Sequence, residues 1–330
     1  MVLETSGITL PARGVTARAC RIHAFGPPAV ISVEDVLVPP PSAGEVLVRV
    51  KAAGVGPWDA WIRAGRSALP QPLPLTLGSD LSGVVSAVGP GVGHFAAGDP
   101  VFGVANPRFI GSYAEYAIAS ATMLAPKPGS LGDIDAAAIP VVAVTAWQAL
   151  FEQARVSRGD TIVVHGAAGG VGAFVVQLAH NAGVRVIATA RGRDLAYVRD
   201  CGADEAIDVG AQRFEDAVRD ADAVIDLVGG ELQTRSFAVL RPGGVLVSAV
   251  SPPDQALADR QAVRALFFLV DVRTERLAEL ASMIENGSLK AAIGTVLPLS
   301  AARKAHEMLE GQLTRPRGKI VLRVVGDGVG

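Results

Sequence analysis

Hydrophobic and polar positions change texture along the chain. From Ala17 to about Lys127, short apolar runs are divided by Gly and Pro: EVLVRVKAAGVG (45–56), LSGVVSAVG (81–89), DPVFGV (99–104) and SYAEYAIA (112–119). Such runs predict the strands of an antiparallel, partly barrel-like domain, with PPPSAG (39–44) as the turn before a strand at Glu45–Val50. From Leu131 the spacing becomes helical, in DIDAAAIPVVAVTAWQALFEQA (133–154). Alternation then sets in. Strands are predicted at 161–165, 184–189, 206–209, 223–230, 244–250 and within 264–270. Helices at 170–181, 194–200, FEDAVRDA (214–221) and 231–239 lie between them. Six strands with interleaved helices predict an α/β fold with a doubly wound parallel sheet.

Beyond Asp271, RTERLAELASMIENG (273–287) predicts a helix closed by Gly287. TVLPLS, AARKAHEMLEG and GKIVLRVV then return to strand, helix and strand. That stretch is too short for a third domain and is expected to rejoin the first, making it discontinuous. The expected division is 17–127 with 288–330, 128–287 between them, and a loose, flexible extension over 1–16.

The chemistry concentrates in Thr161–Gly183. Glycines stand at 166, 169 and 172, spaced G-x-x-G-x-x-G, with Gly170 as an extra. Gly166 permits the tight strand-to-helix turn. Gly169 and Gly170 let backbone approach a pyrophosphate, and Gly172 lets the helix pack closely on the strand. The unpaired N–H groups of the first helical turn, over Gly170, Val171 and Gly172 with Ala168 just before, then face the phosphates. A strand before the turn and another after the helix supply the context that this motif requires. At the end of the second strand, IATARGRD (187–194) places Arg191 and Arg193 where an NAD site would carry an acid. Arginine matches a ribose phosphate, so NADP(H) is the expected dinucleotide. Val228, Gly229 and Val250 follow the fourth and fifth strands, where ligands of such sheets bind.

Composition narrows the rest. At 330 residues, half of them hydrophobic, the chain suffices for two packed domains. A net charge of −2 without a basic stripe argues against nucleic acid. Cys20 and Cys201 cannot build a disulfide framework or a four-cysteine zinc site. No leader pattern and no apolar run of spanning length is seen, so no membrane is expected and a cytoplasmic location is.

These residues bear a resemblance. LGSDLSGVVSAVGPGV (77–92), HFAAGDPVFG (94–103), GSYAEYA (111–117), TAWQAL (145–150), HGAAGGVG (165–172), GADEAID (202–208), LRPGG (240–244) and RGKIVL (317–322) stand in order along the chain. Together they resemble the zinc-independent quinone oxidoreductase, or zeta-crystallin-like, branch of the medium-chain dehydrogenases/reductases. The resemblance implies a GroES-like catalytic domain, a Rossmann domain that binds NADPH, and commonly a homodimer. It also implies that Thr145 approaches the nicotinamide side, that the backbone of Phe268 and Val270 meets the carboxamide, and that Lys319 reaches the cofactor. Zinc-dependent relatives use a Cys and a Gly-His-Glu segment as ligands. Here Gly56 and Gly78-Ser79-Asp80 stand there, so no zinc site is expected.

Two departures bear on catalysis. Many relatives carry Asn-Pro-x-Asp in the loop facing the nicotinamide, and this chain has Gly56-Pro57-Trp58-Asp59. Enoyl-reductase relatives place a tyrosine donor downstream, and no tyrosine occurs here between 21 and 112. No catalytic residue is therefore assigned. Trp58, Asp59 and Trp61 are the substrate-cleft candidates, with Asp59 expected to hold the loop by a hydrogen bond. His165 is expected to be packed. The function expected is NADPH-dependent, zinc-independent hydride transfer to a small electron-poor acceptor, a quinone or an α,β-unsaturated carbonyl. An enoyl-thioester or biosynthetic-intermediate reductase is the enzymatic alternative, and a non-catalytic NADPH-binding sensor or structural protein is the other.

Overall fold

The computed structural model describes residues 14–324. These form two compact units. One comprises the described residues up to Val141, Val272–Glu285 and those from Ala291 on. The other comprises Val142–Asp271 with Asn286–Lys290.

The first unit is built from β1 (Val15–Ile22), β2 (Ser32–Val38), β3 (Glu45–Val55), α1 (Pro57–Arg63), β4 (Leu75–Thr76), β5 (Asp80–Val88), β6 (Pro100–Val104), β7 (Tyr116–Ser120), β8 (Leu124–Pro126) and α2 (Asp133–Ala137). Among the described residues one sheet runs β2-β1-β4. A larger one runs through β3, β5, β6 and β8, with β7 also on β3. All these pairs are antiparallel. The inward residues Val46, Val48, Val50, Leu81, Val85, Val101 and Leu124 make its core. Each such side chain contributes roughly 1.5–3 kcal/mol on burial.

The second unit begins within α3 (Pro140–Trp147). It continues through a π-helical turn at 148–154, β9 (Thr161–His165), α4 (Gly170–Asn181), β10 (Arg185–Ala190), α5 (Leu195–Asp200), β11 (Glu205–Asp208), α6 (Phe214–Ala217), β12 (Ala221–Asp226), α7 (Glu231–Ser236), β13 (Leu240–Ser248), α8 (Gln255–Arg260) and β14 (Arg264–Phe267). Six strands pair in parallel in the order β11-β10-β9-β12-β13-β14 among the described residues. Val163, Val224 and Leu246 lie in its core, and both faces are covered, which is why these strands are near-continuous apolar runs.

The chain then returns through α9 (Thr274–Glu285), β15 (Ile293–Pro298), α10 (Ala302–Leu309) and β16 (Lys319–Arg323). β16 pairs with β3, and β15 pairs with β16 in parallel, the crossover being α10. The larger sheet is thus not wholly antiparallel.

Three expectations shift. The segments 128–141 and 272–285 pack with the first unit: α2 lies on β3 and β5, and α9 on β8, where Thr274 Oγ1 donates to the Leu124 carbonyl at 2.7 Å. Residues 1–13 of the expected extension lie outside the described residues, but Val15 and Thr16 are already strand, opposite Val38 and Leu37. The helical stretch 133–154 is broken before Pro140 and widens into the π turn. Among the described residues no helix is long and apolar enough to cross a membrane.

Candidate functional site

Because the strands of the second unit are parallel, their carboxyl ends share one edge. Strand order reverses between β9 and β12, which is where such sheets bind dinucleotides. The expected residues gather on this edge. Gly166–Gly172 follow β9, Arg191 and Arg193 follow β10, Val228 and Gly229 follow β12, Val250 follows β13, and Phe268 and Val270 follow β14. Gly166 turns with φ +71°, and a Cβ on it would lie 3.1 Å from Val228 Cγ2, so the turn and the β12 loop touch. Gly169 is the N-cap of α4 with no side-chain cap, leaving first-turn N–H groups for an anion. Gly169 and Gly170 are exposed, and Arg191 and Arg193 are too. Thr145 is buried on α3.

A residue that sequence reasoning passed over organises this edge. Asp226 ends β12 fully buried. Its Oδ1 accepts the N–H groups of Val228 (3.0 Å) and Gly229 (2.8 Å). Its Oδ2 accepts Gln233 Nε2 (2.8 Å) and Ser248 Oγ (2.9 Å). Ser248 Oγ accepts from the N–H of Val250 at 3.2 Å. One carboxylate therefore shapes the loops after both β12 and β13. The signal was present: an acid closing the apolar run AVID needs several donors to be buried at all.

His165 is packed, as expected. Its ring nitrogens lie 2.9 Å from Thr189 Oγ1 and 2.9 Å from Ser236 Oγ, and Phe214 meets the ring edge-on. Ser236 Oγ donates to the Leu232 carbonyl, so it accepts from Nε2–H, and Nδ1 accepts from Thr189. Burial pushes this imidazole down to about 4, which keeps it neutral.

The first unit holds the other cluster, around the start of α1. Asp59 Oδ2 accepts the Gly56 N–H at 2.8 Å and the Tyr113 hydroxyl at 3.0 Å. Asp59 is wholly buried, so of its two expected places it occupies the loop-holding one and offers no surface to an acceptor. Burial, partly offset by the Gly56 N–H and Lys319, pushes its carboxyl up to about 7. Trp58 is half-buried and Trp61 exposed. Trp58 Nε1 donates to Ser79 Oγ at 2.7 Å. Lys319 Nζ donates to Asp80 Oδ2 at 2.9 Å and lies 4.4 Å from the Trp58 ring centroid. Lys319, expected to reach the cofactor, thus has its ammonium committed to Asp80 and the indole. Burial raises the Asp80 carboxyl pKa, while Lys319 and the Val141 N–H act against this.

Gly56 has no side chain, the Ser79 hydroxyl is engaged by Trp58, and the Asp80 carboxylate is neutralised by Lys319. Among the described residues no group of three or more His, Cys, Asp or Glu is placed to hold a metal ion.

Fold and site define a two-unit dehydrogenase/reductase of the dinucleotide-binding type. Residues 42–129 match the alcohol dehydrogenase GroES-like domain family, and 201–322 the family described as zinc-binding dehydrogenase. The mouse quinone oxidoreductase is 33% identical over 88% of this chain and 93% of its own length. An NADPH-dependent alkenal/one oxidoreductase from Arabidopsis thaliana chloroplasts is 33% identical over 90% of this chain and 77% of its own. A mycobacterial protein solved in complex with NADPH is 31% identical, covers 93% of this chain and 100% of its own, and superposes with a TM-score of 0.83. The chain belongs to the quinone oxidoreductase, zeta-crystallin-like branch of the medium-chain dehydrogenase/reductase superfamily.

Proposed function

We propose that the chain is an NADPH-dependent, zinc-independent oxidoreductase of quinones or α,β-unsaturated carbonyl compounds. The observation that carries this reading is the carboxyl edge of the second unit's sheet. There, an uncapped helix start behind the exposed Gly169 and Gly170 shares the edge with Arg191 and Arg193. NADPH, when bound, supplies the hydride. The first-turn N–H groups of Gly170, Val171 and Gly172, approached past Gly166, Ala168 and Gly169, would hold its pyrophosphate. Arg191 and Arg193 would hold the ribose phosphate. Thr145, Val228, Gly229, Val250, Phe268 and Val270 would line the nicotinamide half, the β12 and β13 loops being set by Asp226.

The metal-free part of the reading is supported by the engaged or absent donors at Gly56, Ser79 and Asp80. Quinones and enones are already electron-poor and need less polarisation of oxygen than a simple ketone, so positioning can suffice. A homodimer is supported by the open edge of β14, whose last residue, Phe267, is exposed together with Leu269 just beyond it. A cytoplasmic location is supported by the low cysteine content, two in the whole sequence, which does not suit a disulfide-stapled secreted protein.

The test is NADPH oxidation by chelator-treated protein offered a quinone and an enone in parallel. Turnover unaffected by chelation is expected. Loss of turnover restored by zinc would overturn the metal-free part. Turnover of acyl thioesters alone would move the substrate to that class. Tight NADPH binding without turnover of any acceptor would favour a sensor.

A further inference from the structure

We propose that Trp58, fixed in one orientation by Gly56, Ser79 and Lys319, is a stacking wall that selects flat, electron-poor ring acceptors over open-chain enones. This rests on the reading of the chain as a reductase of such acceptors.

Three contacts hold the indole. Its benzo ring covers the Gly56 backbone: a Cβ there would come within 2.2 Å of Cζ2, 2.3 Å of Cη2 and 2.5 Å of Cε2. No side chain fits at 56 while the indole lies there, so the two residues are a matched pair. On the pyrrole side, Nε1 donates to Ser79 Oγ at 2.7 Å. The Lys319 ammonium stands 4.4 Å from the ring centroid and is itself pinned by buried Asp80. Hydrogen bond, backbone contact and cation each constrain a different part of the ring, leaving no alternative rotamer without losing at least one.

Trp58 is nonetheless only half-buried. Its single side-chain donor is engaged by Ser79, so the ring has π surface and not a hydrogen bond to offer an acceptor. An electron-rich indole attracts the face of an electron-poor ring, and a preorganised wall avoids the entropy of immobilising a side chain. A quinone presents its whole ring to such a wall. An open-chain enone presents only a four-atom strip. Trp61, one turn further along α1, is exposed.

The experiment compares kcat/KM for 1,4-naphthoquinone and for an open-chain enone in the unsubstituted chain, Trp58→Leu, Trp58→Phe and Gly56→Ala. The naphthoquinone-to-enone ratio is expected to fall at least tenfold in Trp58→Leu, and to fall less in Trp58→Phe, which keeps a ring. In Gly56→Ala the ratio should fall because the added methyl displaces the indole while Trp58 itself is retained. Thermal melts identify any variant that does not fold, and the other variants then decide. A ratio unchanged within twofold in the folded variants overturns the proposal. If the unsubstituted chain reduces neither acceptor, the functional reading fails. The wall is then judged by equilibrium titration with naphthoquinone: tenfold weaker binding by Trp58→Leu supports it, and equal binding overturns it.

Discussion

Lys319 and Asp80 form a buried ion pair, Nζ to Oδ2 2.9 Å, across 239 positions of sequence. The pair joins β16 to β5 inside the first unit, so the returning C-terminal segment is locked by charge as well as by pairing with β3. Lys319→Met would leave the Asp80 carboxylate uncompensated in the core, at a cost of about 3–5 kcal/mol. Adding Asp80→Asn, which keeps the acceptor for the Val141 N–H, is expected to recover most of that loss. Urea unfolding of the two single variants and the double variant measures the coupling. Equal losses in the Lys319 single variant and the double variant would show that the charge pairing is not what matters.

Asp59 makes stability depend on pH in an unusual direction. Its carboxyl is pushed up to about 7 from an ordinary 3.8, chiefly by burial. Between those values the folded chain holds a proton that the unfolded chain has released, so raising the pH through this window destabilises the fold. His165, pushed down to about 4, and His306, down to about 3, act oppositely. Up to 6.5 the unfolded chain binds protons there that the folded chain lacks, so raising the pH through that range stabilises it. Asp59→Asn keeps an acceptor for the Gly56 N–H and the Tyr113 hydroxyl but cannot titrate. The stability difference, variant minus parent, should therefore climb from pH 4 to 7 by up to about 1.4 kcal/mol per pH unit. It should be flat on either side. Parallel pH curves for the two proteins would refute the assignment.

The glycines of the β9–α4 turn divide into two kinds. A Cβ on Gly172 would lie 2.3 Å from the Gly166 carbonyl oxygen and 2.7 Å from Ala167 Cα, both backbone. Gly172→Ala must therefore push α4 off β9, with a loss of about 1–3 kcal/mol or more. On Gly170 the nearest atom is Val142 Cγ1 at 3.4 Å, an ordinary contact. Gly170→Ala is expected to melt within a few degrees of the parent yet bind NADPH more weakly, because the methyl would stand where the pyrophosphate is proposed to approach. Unchanged NADPH affinity in a folded Gly170→Ala would contradict the phosphate-loop role.

What was legible follows from what a pattern can carry. The strands of the second unit are buried on both faces, so they stand out as apolar runs, and Gly183 with φ +74° closes α4 at the predicted Asn181. The return of β16 to the first unit was visible in the strand–helix–strand order. The side on which α9 packs was not. Leu277, Leu280 and Ile284 give the same apolar stripe whichever core they enter, and only the contact with β8 decides it. Trp58 was visible as a residue, but its seat on Gly56 is a rotamer, and no spacing encodes that. Asp226 was marked by its place at the end of the apolar run AVID, but no spacing encodes that its donors come from Val228 and Gly229, Gln233 and Ser248.

The proposed preference for NADPH over NADH rests on Arg191 and Arg193. Both are exposed after β10, and Arg193 Nε lies 3.8 Å from Asp194 Oδ2, a surface contact worth about 0–1 kcal/mol. Pairing with a ribose phosphate would be stronger, since hydrogen bonds to charged groups contribute about 1.5–3 kcal/mol each. NADH has no phosphate on that ribose. Arg191→Ala with Arg193→Ala is therefore expected to raise the NADPH dissociation constant by roughly tenfold or more. Affinity for NADH should change by less than about threefold, because the backbone cradle at Gly169–Gly172 is untouched. Calorimetric titration of both dinucleotides provides the comparison. Equal weakening would mean that the arginines serve the loop after β10 and not the phosphate, and the preference for NADPH would then have to come from another element of the sheet edge.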